Sequence, residues 1–266
     1  MILLLCTLLF TYCFTFSTDV STFALIIDTS RTWTNYRHFC NALFIYQLLD
    51  LHKDHVIFIA ADEYLTDPKF RRHLSLDDIK FLPKVDYQQF EVTSSLIHDL
   101  FTNSTDSHLK KRIQPSDRLF IYITGHSGPN FLKIAGKDQM TSGQIGKLLC
   151  SLHQSDPHRE LLVIFDTCHG ASLFASIPCT LRNSVMISSS NMGEDSFSYE
   201  YDYNIGTHVS DKFTKNFFIL LKKHPQLKLN DIKVLDKTKI GSTIVIKKTE
   251  LDRNNWKFSD FFNNKD

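Results

Sequence analysis

Leu119-Phe120-Ile121-Tyr122-Ile123 runs into Thr124-Gly125-His126-Ser127-Gly128, and Leu161-Leu162-Val163-Ile164-Phe165 runs into Asp166-Thr167-Cys168-His169-Gly170. Each is a continuous apolar run closed by a small-residue turn, the pattern of a strand covered on both faces. In each, a reactive side chain follows the last apolar residue by three positions. If the two are parallel neighbours joined by a helix, His126 and Cys168 emerge together at the carboxyl edge, where open α/β sheets place their ligands. Adjacent strands lie about 4.8 Å apart, so a thiol and an imidazole can face each other across a cleft. A nucleophilic cysteine needs such a base, beside a turn with free backbone N–H groups. Taken singly, a buried cysteine is more often an inert small hydrophobe. Gly125, Gly128 and Gly170 are expected to let a substrate backbone come close.

The same alternation extends in both directions. Segments 22–27 (TFALII), 56–60 and 184–187 read as further strands and 243–248 as a late edge strand. Segments 39–51, 92–101, 144–153 and 211–223 read as helices, the last with its positive charges at the carboxyl end, where the helix dipole favours them. Residues 62–90 are charged and irregular, a long insertion, and 199–210 reads as a loop. The pattern predicts an α/β fold, a mostly parallel sheet flanked by helices on both faces, in one domain over 19–266. With 266 residues, 42% apolar and 22% charged, the composition excludes disorder, collagen, coiled coil and a multi-span membrane protein. Thirty basic against 29 acidic residues leave a net charge of +1, no field for gripping nucleic acid.

Residues 1–18 carry no charged side chain, which predicts a secretory signal peptide, with Thr15 and Ser17 small enough for the cleavage site, or an uncleaved N-terminal anchor. Cys6 and Cys13 leave with a cleaved leader. Cys40, Cys150, Cys168 and Cys179 remain and can pair in three ways; no C-x-x-C spacing suggests zinc. The sequon Asn103-Ser104-Thr105 is a candidate glycan site. Other chemistries lapse. Gly125-His126-Ser127-Gly128-Pro129 lacks the final glycine of a nucleophile elbow, and no dinucleotide or P-loop motif is present.

At these residues the chain resembles a known family. Asn35-Tyr36-Arg37-His38, Ala61-Asp62, Val85-Asp86-Tyr87, Thr124-Gly125-His126, Asp166-Thr167-Cys168 with Gly170-Ala171-Ser172, Ser189-Ser190, Gly193-Glu194-Asp195-Ser196 and Asp260-Phe261-Phe262 resemble the catalytic subunits of GPI-anchor transamidases. These are legumain-like cysteine peptidases of the caspase clan. The resemblance implies a caspase-like fold, Cys168 as nucleophile, His126 as general base and acid, and Asn35 as the group that orients the imidazole. It implies an oxyanion hole from the N–H groups of Cys168 and Ser127. Ser127 stands where the family usually has glycine, and its side chain is expected to narrow the approach. Asp166, Ser190, Ser196, Ser198 and Asp211 match positions that line the substrate groove. A family calcium site matches Asp86 and Asp54; its third carboxylate falls at Lys84, which repels a cation, so no cofactor is expected to be required.

The implied reaction cleaves the C-terminal signal of a precursor through a thioester and transfers the new C-terminus to the ethanolamine amine of a GPI lipid. Implied partners are the precursor, the lipid and the other subunits of the transamidase complex. The implied place is the lumen of the endoplasmic reticulum, with membrane association through those subunits. Thr66 replaces a cysteine that relatives bridge to a partner, and the longest late apolar run, 217–221, is too short to span a bilayer. Two other readings share the sequence: an asparaginyl endopeptidase that transfers to water, and an inactive homologue that only binds precursors. The intact Asn35, His126 and Cys168 argue against the second.

Overall fold

The computed structural model describes residues 20–65, 82–105, 108–235, 237–248 and 255–262. The expected leader and Thr66 lie outside the described residues, as does much of the expected insertion. In chain order the elements are β1 (Thr22–Asp28), α1 (Tyr36–Leu49), β2 (Val56–Ala60), β3 (Tyr87–Gln88), α2 (Ser94–Thr102) and β4 (Arg118–Thr124). A meander follows, β5 (Ser127–Gly128), β6 (Phe131–Ile134) and β7 (Asp138–Thr141), then α3 (Ser142–Ser155), β8 (Glu160–Asp166) and β9 (Ser184–Ser188). The hairpin β10 (Ser198–Asp202) and β11 (Thr207–Asp211) leads into α4 (Lys212–Lys223), and β12 (Val245–Lys248) comes late.

Among the described residues seven strands form one sheet in the order β12-β9-β8-β4-β1-β2-β3. Every pairing is parallel except the edge strand β12 against β9. The expected strands are all present, and β1 is buried at every position, because helices cover both faces. Period-two alternation divides the core. Ala24, Ile26, Phe120, Tyr122, Leu162 and Ile164 pack towards α1 and α4. Phe23, Leu25, Ile27, Leu119, Ile121 and Val163 pack towards α2 and α3. The chain leaves β1 towards β2 and leaves β4 towards β8, so the crossovers diverge between β1 and β4, a topological switch point.

Helix α3 starts at a capping box: Thr141 Oγ1 accepts from the Gln144 N–H (3.2 Å) while Gln144 Oε1 accepts from the Thr141 N–H (2.8 Å). Its Gly146 lies so close to the next segment that an added Cβ would stand 2.3 Å from the Ser176 carbonyl oxygen. One turn later Cys150 is disulfide-bonded to Cys179, while Cys40 and Cys168 are free thiols.

Two features depart from the sequence reading. The 127–141 segment is a three-stranded meander, turned at Asn130, Ala135 and Gly136, all with positive φ. Its strands of two and four residues are too short for periodicity to register. The expected loop at 199–210 is a hairpin with register Ser198↔Asp211. The alternation of Tyr199 and Tyr201 with charged neighbours was its signal.

Candidate active site

The register of β4 and β8 pairs Thr124 with Asp166. His126 and Cys168, each two residues farther along, therefore leave the sheet side by side at its carboxyl edge. Both are half-buried. The three glycines expected to admit a substrate instead serve internal packing. An added Cβ at Gly125 would stand 2.1 Å from Thr29 Oγ1, at Gly128 2.5 Å from the Phe131 ring, and at Gly170 3.0 Å from Ser188 Cβ. Gly125 also has φ +148°, a conformation that suits glycine.

Asn35, at the start of α1, reaches His126: its Oδ1 lies 2.8 Å from Nε2. The amide is oriented by its own Nδ2, which donates to the Arg31 carbonyl (2.7 Å). An oxygen facing Nε2 places the ring proton there and leaves Nδ1 as the free base. Burial first, then the neighbouring His38, Arg37 and Lys133, lower the His126 pKa to about 4. The imidazole is therefore neutral at physiological pH.

Cys168 sits in the turn between β8 and the short 3-10 helix Gly170–Phe174. Its Sγ accepts from the Ser196 N–H (3.4 Å) and donates to the Ser196 carbonyl (3.7 Å). Burial raises the thiol pKa; the Ser196 N–H opposes this, and Asp195 and Asp211 add to it. The resting pair is thus a thiol beside a neutral imidazole. Among the described residues the Cys168 N–H has no protein acceptor. Lys133 N–H bonds the His126 carbonyl (2.9 Å), so Ser127 and Leu132 form the next, non-hydrogen-bonded pair of the ladder and the Ser127 N–H points away from β6. The Ser127 hydroxyl donates to the Cys168 carbonyl. It clips the two turns together.

The 190–196 loop clamps the cysteine turn. The Glu194 carbonyl accepts from the His169 N–H (2.7 Å), and the Gly193 N–H donates to His169 Nδ1 (3.0 Å). The Glu194 carboxylate takes the Thr243 N–H (2.7 Å) and Lys237 Nζ (3.1 Å). Its slight burial is outweighed by these donors, which hold its pKa down to about 2. Ser190 is fully buried: its hydroxyl accepts from the Gly170 N–H (2.9 Å) and donates to the Thr167 carbonyl (2.8 Å). It supports the turn instead of lining a groove. Ser196 and Ser198 are half-buried, at the rim.

Asp166 and Asp211 lie beneath that rim, both buried. Asp166 receives the hydroxyls of Tyr122 (3.0 Å), Thr214 (2.5 Å) and Ser196 (3.3 Å). Asp211 is bound by Arg37 Nε (3.0 Å) and Asn41 Nδ2 (2.6 Å), with His38 Nδ1 at 3.3 Å. Burial and then the Asp211 charge push Asp166 up to about 6. Burial would raise Asp211 too, but His38 and Arg37 hold it low. Arg37 is the permanent countercharge, since burial lowers His38. Arg37, His38, Tyr122 and Thr214 were not singled out as site residues from the sequence; the Asn35–His38 motif was the signal for the first two.

The residues matched to a calcium site do not fit one. Asp86 Oδ2 accepts from the Phe58 N–H (3.0 Å) and lies 3.6 Å from Lys111 Nζ. The same ammonium donates to the carbonyls of Lys53 (2.8 Å) and Val56, so a lysine already occupies the cation's place. Asp54 is 74% exposed beside His52, and Lys84, expected to repel the ion, is exposed. Among the described residues no group of three or more His, Cys, Asp or Glu side chains could hold a metal. Asn103 is exposed at the carboxyl cap of α2.

This architecture is shared. Caspase-1 from Spodoptera frugiperda superposes with a TM-score of 0.52 over 86% of this chain and 87% of its own, at 9% identity, a likeness of fold alone. GPI-anchor transamidases from Bos taurus and Homo sapiens are each 30% identical over 236 residues, covering 81% of this chain and 59% of theirs. The Saccharomyces cerevisiae GPI-anchor transamidase is 28% identical over 269 residues, 93% of this chain and 65% of its own. The chain thus spans less than two thirds of the length of these relatives. The model of the Peptidase C13 family matches residues 22–245, from the first residue of β1 to the first of β12, and the chain belongs to that family.

Proposed function

We propose that the chain is the catalytic subunit of a GPI transamidase. The carrying observation is the placement of Cys168 and the Asn35–His126 pair at the carboxyl ends of neighbouring strands, in a chain whose relatives bear that name. His126 Nδ1 takes the thiol proton as Sγ attacks the carbonyl at the attachment site of a precursor. The N–H groups of Cys168 and Ser127 receive the oxyanion. His126 then protonates the departing amine, the C-terminal signal leaves, and a thioester remains. The amine of the lipid's ethanolamine phosphate attacks it, forming the amide and returning Sγ to the thiol. Ser196 and Ser198 line the groove, with Asp166, Asp211 and Arg37 as its polar floor.

The Cys150–Cys179 disulfide supports an oxidising compartment, in keeping with a leader at 1–18 and a single lumenal catalytic domain over 19–266. Among the described residues no helix is long and apolar enough to cross a membrane. Contact with the other subunits of the complex is the proposed tie to the membrane-bound substrates. The exposed Asn103 suits a glycan. The test is complementation of cells lacking their own subunit. The wild-type chain restores anchored surface proteins, and Cys168→Ala abolishes anchoring while still joining the complex. Anchoring retained by Cys168→Ala overturns the mechanism. Precursors that are trimmed but secreted unanchored would make the chain an endopeptidase.

A further inference from the structure

A cavity of about 450 Å3 opens on the far side of His126 from the 190–196 loop. One wall is the segment that leaves β1, with Arg31 and Asn35, and the other the segment that leaves β4, with His126, Lys133, Gly136 and Lys137. It therefore sits at the β1/β4 switch point, where open α/β sheets bind ligands. Neither Cys168 nor Ser196 lines it. Resting on the transamidase reading, we propose that this cavity is the acceptor subsite: Arg31, Lys133 and Lys137 hold the phosphate of an ethanolamine phosphate headgroup so that its amine faces the thioester.

The lining carries three permanent cations and one carboxylate, Asp62, whose oxygens already accept from the N–H groups of Thr32 (2.8 Å) and Glu63 (2.9 Å). The balance favours an anion, and phosphate is the anion the acceptor brings. The Arg31 guanidinium and the Lys137 ammonium lie 5.0 Å and 5.2 Å from the centre of the same exposed Phe90 ring. That ring gathers both cations at one rim. At Gly136 an added Cβ would meet nothing within 4 Å, so the mouth is open. The cations also serve the chemistry, because a positive field disfavours the protonated amine and keeps the nucleophile neutral. The amine lone pair attacks the thioester carbonyl carbon and its proton passes to His126. The C–S bond breaks with its electron pair on Sγ, which takes the proton back.

The experiment uses the assembled complex carrying either the wild-type chain or Lys133→Ala/Lys137→Ala. Signal release is measured together with transfer to O-phosphoethanolamine, to ethanolamine and to intact GPI lipid. The readout is the ratio of transfer to each phosphate-bearing acceptor over transfer to ethanolamine within one preparation, so a general loss of activity cancels. Wild type should favour both phosphate-bearing acceptors, and the double variant should lose about tenfold of that ratio. Lys133→Arg/Lys137→Arg should retain it. A loss with O-phosphoethanolamine shows that phosphate itself is read; a loss confined to intact lipid places the recognition elsewhere on the lipid and overturns the phosphate assignment. An unchanged ratio in the double variant, or no preference in wild type, overturns the subsite while signal release continues. Signal release by wild type without transfer to any acceptor, or no release at all, overturns the transamidase reading itself.

Discussion

Asn35 and His126 are 91 residues apart and share one hydrogen bond of 2.8 Å. That contact sets the tautomer, and burial with the His38, Arg37 and Lys133 charges sets the titration. A base with a pKa of about 4 stays neutral across the physiological range, so if the chain carries out the proposed reaction, its kcat/KM for signal release should fall only as pH drops towards 4. Lys133→Glu exchanges a repelling cation for an attracting anion. It favours the imidazolium, raises that pKa and moves the acidic limb to higher pH; a limb that stays in place would separate Lys133 from His126. Asn35→Ala should lose about one to two orders of magnitude in kcat/KM, less than Cys168→Ala, because an orienting group does not react. At this scale the sequence was legible where a reactive residue follows an apolar run, as at Cys168 and His126. Asn35 came only with the family resemblance. The buried tie of Arg37 to Asp211 has no local pattern that could announce it.

Among the described residues the Cys150–Cys179 bridge is the covalent tie between elements. It joins α3 to the segment before β9 across a sequence separation of 29. Closing a loop of that length removes unfolded-state entropy worth about 3–4 kcal/mol. Cys150→Ser/Cys179→Ser should therefore lower unfolding stability by about that amount, measured by urea denaturation. Dithiothreitol should destabilise the wild-type chain but not the variant. Equal sensitivity of both to dithiothreitol would contradict the bridge. Helices α1, α3 and α4 were legible from apolar spacing and end charges, to within three residues. The meander β5–β7 was not, since its strands are two to four residues long and their stability comes from packing beneath α3 and against the cysteine turn. The hairpin β10–β11 carried a visible alternation. Its value as a strand pair lay in Ser198 meeting Asp211, which no window of sequence contains.

Across the molecule, an internal cation stands where the family resemblance placed a divalent one. Lys111 Nζ joins the carbonyls of Lys53 and Val56 to Asp86, and so ties the start of β2 to the strand β3 beside it and to the segment before β4. The melting temperature of the wild-type chain should be the same in EDTA and in millimolar calcium chloride. Lys111→Ala should lose about 2 kcal/mol, because the Asp86 carboxylate and the Lys53 and Val56 carbonyls then lose the donor they share in a partly screened site. A wild-type protein destabilised by EDTA would place a metal there after all. The order of residues alone specified the set of buried strands. A strand covered on both faces must be apolar at every position, and such runs are visible without any partner. It also determined that Cys168 and His126 stand just beyond two of those strands. Folding in three dimensions makes these strands neighbours in register, brings Asn35 to His126, pairs Cys150 with Cys179, and seats Lys111 in the cation's place. Each of these is a contact between residues far apart in the chain, and local periodicity records which face a side chain takes but not what it will meet there.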